Sequence, residues 1–348
     1  MTTMTDGEHD LVRQLSFDCD GPVDIDIELA GGAIEVQLAE APGDRAATAD
    51  PAETTNTTET AEPDSTTDAG DTAETDYADA TTGALSDAVE APAVVVEVRH
   101  EPRGGANWGL PGLLNWIGGQ FGAVGNDLAA EAVRETLVTM HGNRLTVRGP
   151  RSMPLRGVPL TITVHAPGGS SLNTRSGSAR VRIGGPAGRV HVDTGSGDVW
   201  VDRAAGPVQV KTGSGTVRLG PMSDGLSART GSGDLEVTSL AGSGSLHSGS
   251  GDIWLGTVDG DRVTVRTGSG DLTVADAAAG LLQLVTGSGD LRVGIRSGVL
   301  AEVDLVSGSG RARSDLPVSH EPPSGGEPVL SVRARTGSGD AVISAATA

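Results

Sequence analysis

One phrase, Gly-Ser-Gly, returns through the second half of the chain at a nearly constant interval. Its first glycines stand at Gly177 (where the phrase reads Gly-Ser-Ala), Gly195, Gly213, Gly231, Gly249, Gly268, Gly287, Gly308 and Gly337, with spacings of 18, 18, 18, 18, 19, 19, 21 and 29 residues. A period held over nine copies argues against a conventional globular core. Each copy is too short to bury its own apolar face and must stack on its neighbours, which predicts a solenoid. Within each period the apolar residues alternate, the pattern of strands rather than helices. After the turn come Val199 and Val201, Val217 and Leu219, Leu235 and Val237, Ile253 and Leu255, Leu272 and Val274, and Leu291 and Val293. Before the next turn come Val190 and Val192, Val208 and Val210, Leu226 and Ala228, Val263 and Val265, Leu282 and Leu284, and Val303 and Leu305. Each rung is therefore two short strands and two turns. Rungs about 4.8 Å apart in parallel register enclose a continuous aliphatic interior.

Composition follows from that geometry. Of 348 residues 52 are glycine and only 2% are aromatic. A narrow coil accepts branched aliphatics inside but not indoles, which would force neighbouring rungs apart. Trp200 and Trp254 fall between inward pairs and are expected on the surface. The turn glycines are expected to permit positive φ and to let identical turns stack without Cβ contact.

The rung motif TGSGD followed by apolar-x-apolar, the opening PVDIDIELAGGAIEVQL and the closing RSGVLAEVDLVSGSGRARSDL and VLSVRARTGSGDAVIS resemble the bacterial β-strand-repeat "putative adhesin" family, also called toastrack proteins. The resemblance covers residues 17–38 and 126–345. It implies a right-handed parallel β-helix without known catalytic residues, associated in some members with cell-envelope stress systems. The acidic insert and residues 104–125 depart from the pattern.

Four regions are expected: N-terminal strands and a first rung over 1–38, a disordered acidic insert over 39–92, strands with a short helix and hairpin over 93–165, and the GSG-repeat β-solenoid over 166–348. Val23, Ile25, Ile27, Ile34 and Val36 alternate around Gly31-Gly32 as an early rung, and Val94, Val96 and Val98 resume a strand. Asn126 is placed to cap a helix through Glu135, and TLVTM-HGN-RLTV reads as a hairpin leading to LTITV. Residues 40–90 hold 14 acidic side chains and one basic one, −13 of the chain's net −21, with too little apolar surface to fold. It reads as a solubilising linker, with bait for a basic partner as the alternative.

So acidic a chain is a poor fit for nucleic acid or anionic lipid. Cys19 is the only cysteine, no run of residues is long and apolar enough to span a membrane, and the opening residues lack a secretory signal. A cytoplasmic monomer is expected. Residues 104–125, with Trp108, Trp116 and Phe121, read as a plug over an open solenoid end, a partner-docking patch or a membrane-surface contact.

Candidate chemistry is sparse. No GxSxG, HExxH or phosphate-binding loop is present, and His191, His247 and His320 share no spacing, so no catalytic, cofactor or metal site is assigned. Enzymatic chemistry would have to occupy the long loop within 311–332. A carboxylate column runs through Asp198, Asp234, Asp252, Asp271, Asp290 and Asp340, directly after GSG. Its role is to accept hydrogen bonds from turn amides, with calcium the alternative. Carboxylates stacked about 4.8 Å apart repel by about 0.9 kcal/mol even in water. Arg229, His247, Arg266 and Arg335, each five residues before an Asp, together with Lys211, are therefore expected to balance them as an ionic ladder. The outward column Arg182, Trp200, Arg218, Glu236, Trp254, Thr273 and Arg292 carries the aromatic and arginine types common at protein interfaces. The function this supports is a non-enzymatic scaffold for a protein partner; a surface adhesin or a carbohydrate-active β-helix enzyme is the alternative.

Overall fold

In the computed structural model the described residues are 2–7, 10–40, 93–100, 127–317 and 328–346. The described residues all belong to the first of the two units into which the chain divides. Residues 41–92 of the predicted disordered insert, the Trp108–Phe121 segment, the Asn126 cap and residues 318–327 of the 311–332 loop lie outside the described residues.

The first unit is the predicted β-solenoid. Two parallel ladders share its interior. One is built from strands that precede the GSG turns, such as Val208–Thr212 and Leu226–Thr230, and the other from strands that follow them, such as Val199–Ala204 and Val217–Met222. Register between successive rungs pairs equivalent residues: Val199 lies beside Val181 and Val217, and Val208 beside Val190 and Leu226. Every inward pair named above is buried except Val303 and Leu305. Eleven described strands stack in each ladder, about 48 Å at the usual strand spacing.

Rung order in space departs from rung order in sequence at both ends. Asp24–Ala39 slots between Leu160–Pro167 and Ser171–Ala187, as the early rung it was expected to be. At the other end, Leu330–Ser338 and Ala341–Ala345 insert between the rung of Leu282 and Leu291 and the rung of Ala301–Ser307 and Ala312–Ser314. The GSG at Gly308 is thus outermost and that at Gly337 lies inside it. This corrects the inward placement of Val303 and Leu305: they stand on the terminal rung, where Val303 is 40% exposed and Leu305 partly exposed. The physical reason is apolar content. Leu330, Val332, Ala334, Ala341 and Ile343 are all buried and fill an interior layer, whereas the last rung needs to cover only one side.

The two ends are finished differently. At the N-terminal end, Leu160–Pro167 is extended by antiparallel strands Ala93–His100, Asp10–Asp18 and Thr2–Gly7. The hairpin of Leu137–His141 with Arg144–Arg148 closes the other ladder, turning at Gly142 with φ +55°. Residues 127–135 are helical and bury Ala129, Ala132 and Val133 against this end. At the C-terminal end no described strand pairs with the outer edge of Ala301–Ser307.

Candidate functional site

The turn that repeats is held by three stacked contacts. The first is close backbone approach. A Cβ at Gly213 would sit 2.4 Å from the Gly195 carbonyl oxygen, and one at Gly231 2.5 Å from that of Gly213. Proximity to the rung below, rather than positive φ, is what demands glycine at these first positions. Left-handed φ appears in the GSG elements at the second glycine of three of them, Gly270, Gly289 and Gly339.

The second contact is the Asp column. Asp234 Oδ1 accepts the Asp252 N–H at 3.0 Å, Asp252 Oδ1 that of Asp271 at 2.8 Å, and Asp271 Oδ1 that of Asp290 at 2.8 Å. Asp290 and Asp340 continue it to the Asp340 and Arg311 amides. The expected acceptor role is what these carboxylates perform, with the amide supplied by the next rung. Among the described residues no three His, Cys, Asp or Glu side chains converge to hold a metal ion.

The third contact has no counterpart in the sequence reading. The Thr or Ser before seven of the turns points inward and is buried: Thr194, Thr212, Thr230, Ser248, Thr267, Thr286 and Thr336; Ser176 and Ser307, before the turns at Gly177 and Gly308, are only partly buried. Several donate to a glycine carbonyl one rung away, as Thr286 Oγ1 does to Gly270 at 2.9 Å and Thr336 Oγ1 to Gly289 at 2.9 Å. Among the described residues Thr194 and Thr230 have no partner for their hydroxyls. The internal recurrence of Thr in TGSGD was the available signal.

The expected ionic ladder does not form. Arg229, His247, Arg266 and Lys211 make no ion pair among the described residues, and Arg335 pairs with Asp304 at 3.5 Å rather than with Asp340. The cations stand on the outward side of the pre-turn ladder, and the aspartates already receive backbone amides at the turn, so each set meets a different neighbour.

Outward side chains of the post-turn ladder form the predicted column. Register places Arg182, Trp200, Arg218, Glu236, Trp254, Thr273 and Arg292 side by side on successive rungs. Trp200 and Trp254 are 46% and 39% exposed, as expected of the surface. Most charges in this column are engaged. The Arg182 guanidinium lies 4.2 Å from the Trp200 ring centroid, Arg218 Nε bonds Glu236 Oε2 at 3.1 Å, and Arg292 reaches Asp290 at 2.7 Å and Asp271 at 3.5 Å. Nearby, Asp276 hydrogen-bonds Arg296 and raises its pKa above the ordinary guanidinium value. The structure therefore unites Arg182, Trp200, Arg218, Trp254 and Arg292 on one face; Trp108, Trp116 and Phe121 lie outside the described residues.

The opposite ladder carries a second feature. A groove of about 920 Å³ runs over its rungs, lined by the outward row His191, Gln209, Ser227, Ser245 and Thr264, by Val190, Pro207, Val208 and Leu226, and by Arg189, Arg262 and Arg266.

A stacked coil with repeated outward columns defines an all-β solenoid, a class of protein whose chemistry lies on its faces. Residues 130–347 match the family model described as Toastrack DUF4097, and the chain belongs to that family. Among solved structures, a "putative adhesin" from Bacteroides fragilis aligns over 96% of this chain and 97% of its own at 11% identity, TM-score 0.32. Another from Parabacteroides distasonis aligns over 95% and 96% at 8% identity, TM-score 0.27. A "putative cell adhesion protein" from Clostridium sporogenes aligns over 96% and 98% at 6% identity, TM-score 0.20. Scores this low carry no functional argument. No curated protein matches the chain.

Proposed function

We propose that this protein is a non-catalytic scaffold that binds a protein partner through the outward face of its post-turn ladder. The observation that carries the reading is the pair of half-exposed indoles, Trp200 and Trp254, three rungs or about 14 Å apart on a rigid face and set among arginines. Large aromatic surfaces beside arginine are the groups that most often anchor protein interfaces. The internal pairing of Arg182 and Arg218 holds the face in shape before a partner arrives, which reduces the ordering cost of binding. Family membership supports a scaffold, and the cell-envelope stress systems associated with some members supply the setting in which to look for the partner.

The test is affinity capture from the native cell, with fractionation, comparing the wild-type chain with Trp200→Ser/Trp254→Ser. Both side chains are exposed, so the variant should keep its circular dichroism and melting temperature. A partner retained by the wild type and lost by the variant is the expected result. The same partner retained by both, or none retained by either, refutes the reading.

A further inference from the structure

The C-terminal end of the coil stops on an open edge. Ala301–Ser307 pairs with Leu330–Ser338 and Ala312–Ser314 with Ala341–Ala345, and no described strand pairs with the outer side of either. The same end gathers the exposed Leu300, Val303, Val306 and Val329. The inward row Ala301, Val303, Leu305 and Ser307 carries no charge, and neither strand holds a proline or lysine, the residues that commonly blunt an edge. At the other end the parallel ladder accepts an antiparallel neighbour, as Leu160–Pro167 does Ala93–His100. The segments outside the described residues are poorly suited to cover the C-terminal edge. Residues 101–126 leave and re-enter at the N-terminal end, and half their length fully extended reaches about 44 Å, less than the coil's length of about 48 Å. Residues 318–327 carry Pro322-Pro323 and Gly325-Gly326, which a ladder strand does not accept. The acidic stretch 40–90 has the charge of Glu302, Asp304 and Asp315 on the edge itself.

We propose that this edge joins two copies of the chain end to end about a two-fold axis, each ladder running on from one coil into the other. Charge selects the occupant and fixes the register. A two-fold axis perpendicular to the ladders sets each strand antiparallel to its own copy, and it must cross both strands at the same height. Residues equidistant from the middle of the turn, between Ser309 and Gly310, share a height, which couples Leu305 to Ser314, Asp304 to Asp315 and Val306 to Arg313. An axis through Asp304 and Asp315 sets each carboxylate against its copy. One through Val306 and Arg313 does the same to the guanidinium, and one through Val303 and Leu316 sets Glu302 against Asp304. The axis through Leu305 and Ser314 avoids all three repulsions. It places Arg313 opposite Asp315 of the second copy, and the reverse, while Leu305 meets Leu305 on the inward side. Arg313 points outward because Ala312 and Ser314 share the register of the buried Ala341 and Ile343, and the Asp315 N–H still donates to the Ile343 carbonyl, which keeps Asp315 in the ladder. An edge matched to itself in this way closes at two copies. The contact is small, about 24 Å of strand across sheets about 10 Å apart, against about 800 Å² per partner in a standard interface. Association is therefore weak, and in dilute solution the chain is the expected monomer with its last rung uncovered. The contact is independent of the face that carries Trp200 and Trp254.

Sedimentation equilibrium and small-angle X-ray scattering of the full chain, from about 5 to about 500 µM, test it. The weight-average mass should rise from 35.0 kDa towards twice that value and no further, and the longest dimension should grow by about 48 Å, the length of a second coil. Amides of Ala301–Ser307 should exchange fast at the low concentration and slow at the high one. Leu305→Lys, which brings two ammonium groups together at the axis, should hold the mass at that of one chain throughout. Arg313→Asp turns two exposed attractions, each contributing roughly two- to fivefold, into repulsions and should weaken association about tenfold or more. Arg313→Asp/Asp315→Arg restores the pairs with their charges exchanged and should recover it, a result that decides the matter even if Leu305→Lys fails to fold. Any one of the following overturns the proposal: a constant mass up to the highest concentration, growth past two copies, a dimer no longer than one coil, wild-type association in a folded Leu305→Lys or in Arg313→Asp, or no recovery in the exchanged variant. Slow exchange of the Ala301–Ser307 amides at the low concentration does so as well, since the chain then covers its own edge.

Discussion

At the scale of single residues, the repeated turn sorts its glycines and threonines by what each touches. Gly231→Ala places a Cβ 2.5 Å from a backbone carbonyl that two ladders hold in place, and overpacking of this kind costs about 1–3 kcal/mol. Gly157→Ala meets nothing within 4 Å at a φ open to any residue, and should change stability by less than about 0.5 kcal/mol. Urea denaturation of the two variants separates close approach from a general preference for glycine; equal losses would show that approach is not the cause. The buried hydroxyls allow a sharper contrast. Thr286→Val breaks the bond to the Gly270 carbonyl and should cost about 1 kcal/mol. Thr230→Val removes a hydroxyl that has no partner, and should be neutral or stabilising. If both lose stability equally in thermal melts, the hydroxyl ladder is not a source of stability.

At the scale of the element, each strand contributes in proportion to the neighbours on both of its sides. Leu284 is fully buried between the strands of Val265 and Ala334, and Leu284→Ala should cost about 2–5 kcal/mol through lost burial and the cavity left behind. Val303 has the same alternating pattern around it but lies on the terminal rung, so Val303→Ser should stay within about 0.5 kcal/mol. Reading the chain in order, Val303 and Leu305 look like any other inward pair. Comparable losses at Leu284 and Val303 in chemical denaturation would mean that the terminal rung is covered in solution.

For the whole molecule, stability should be graded along the coil, because each rung contacts only its neighbours. The N-terminal end carries antiparallel strands, a hairpin and a helix, while the outer edge of Ala301–Ser307 pairs with no described strand. Amide hydrogen exchange is therefore expected to be fastest in Ala301–Ser314, slower in Leu330–Ala345 although it follows in sequence, and slowest in the rungs around Val217–Val265. Exchange that rises steadily towards the last residues would contradict the inserted rung order.

The sequence by itself determined the strands, the faces and the class of fold. Alternation is a two-residue signal, so the burial of Val199, Val210, Leu235 and Val265 and the exposure of Trp200 and Trp254 could all be read locally. The GSG period carried the stacking, and Asp after GSG carried the acceptor role. Tertiary structure alone decided which rung lies beside which. Rungs that share one period and one inward pattern are locally interchangeable, and their order depends on how much apolar surface each offers on two sides. It also decided the fate of the charges. Sequence separation set Arg229 five residues from Asp234, whereas the coil turned one out to solvent beside Lys211 and gave the other a backbone amide from the next rung. Separation along a chain measures reach, and the direction of a side chain is settled only when the strands have stacked.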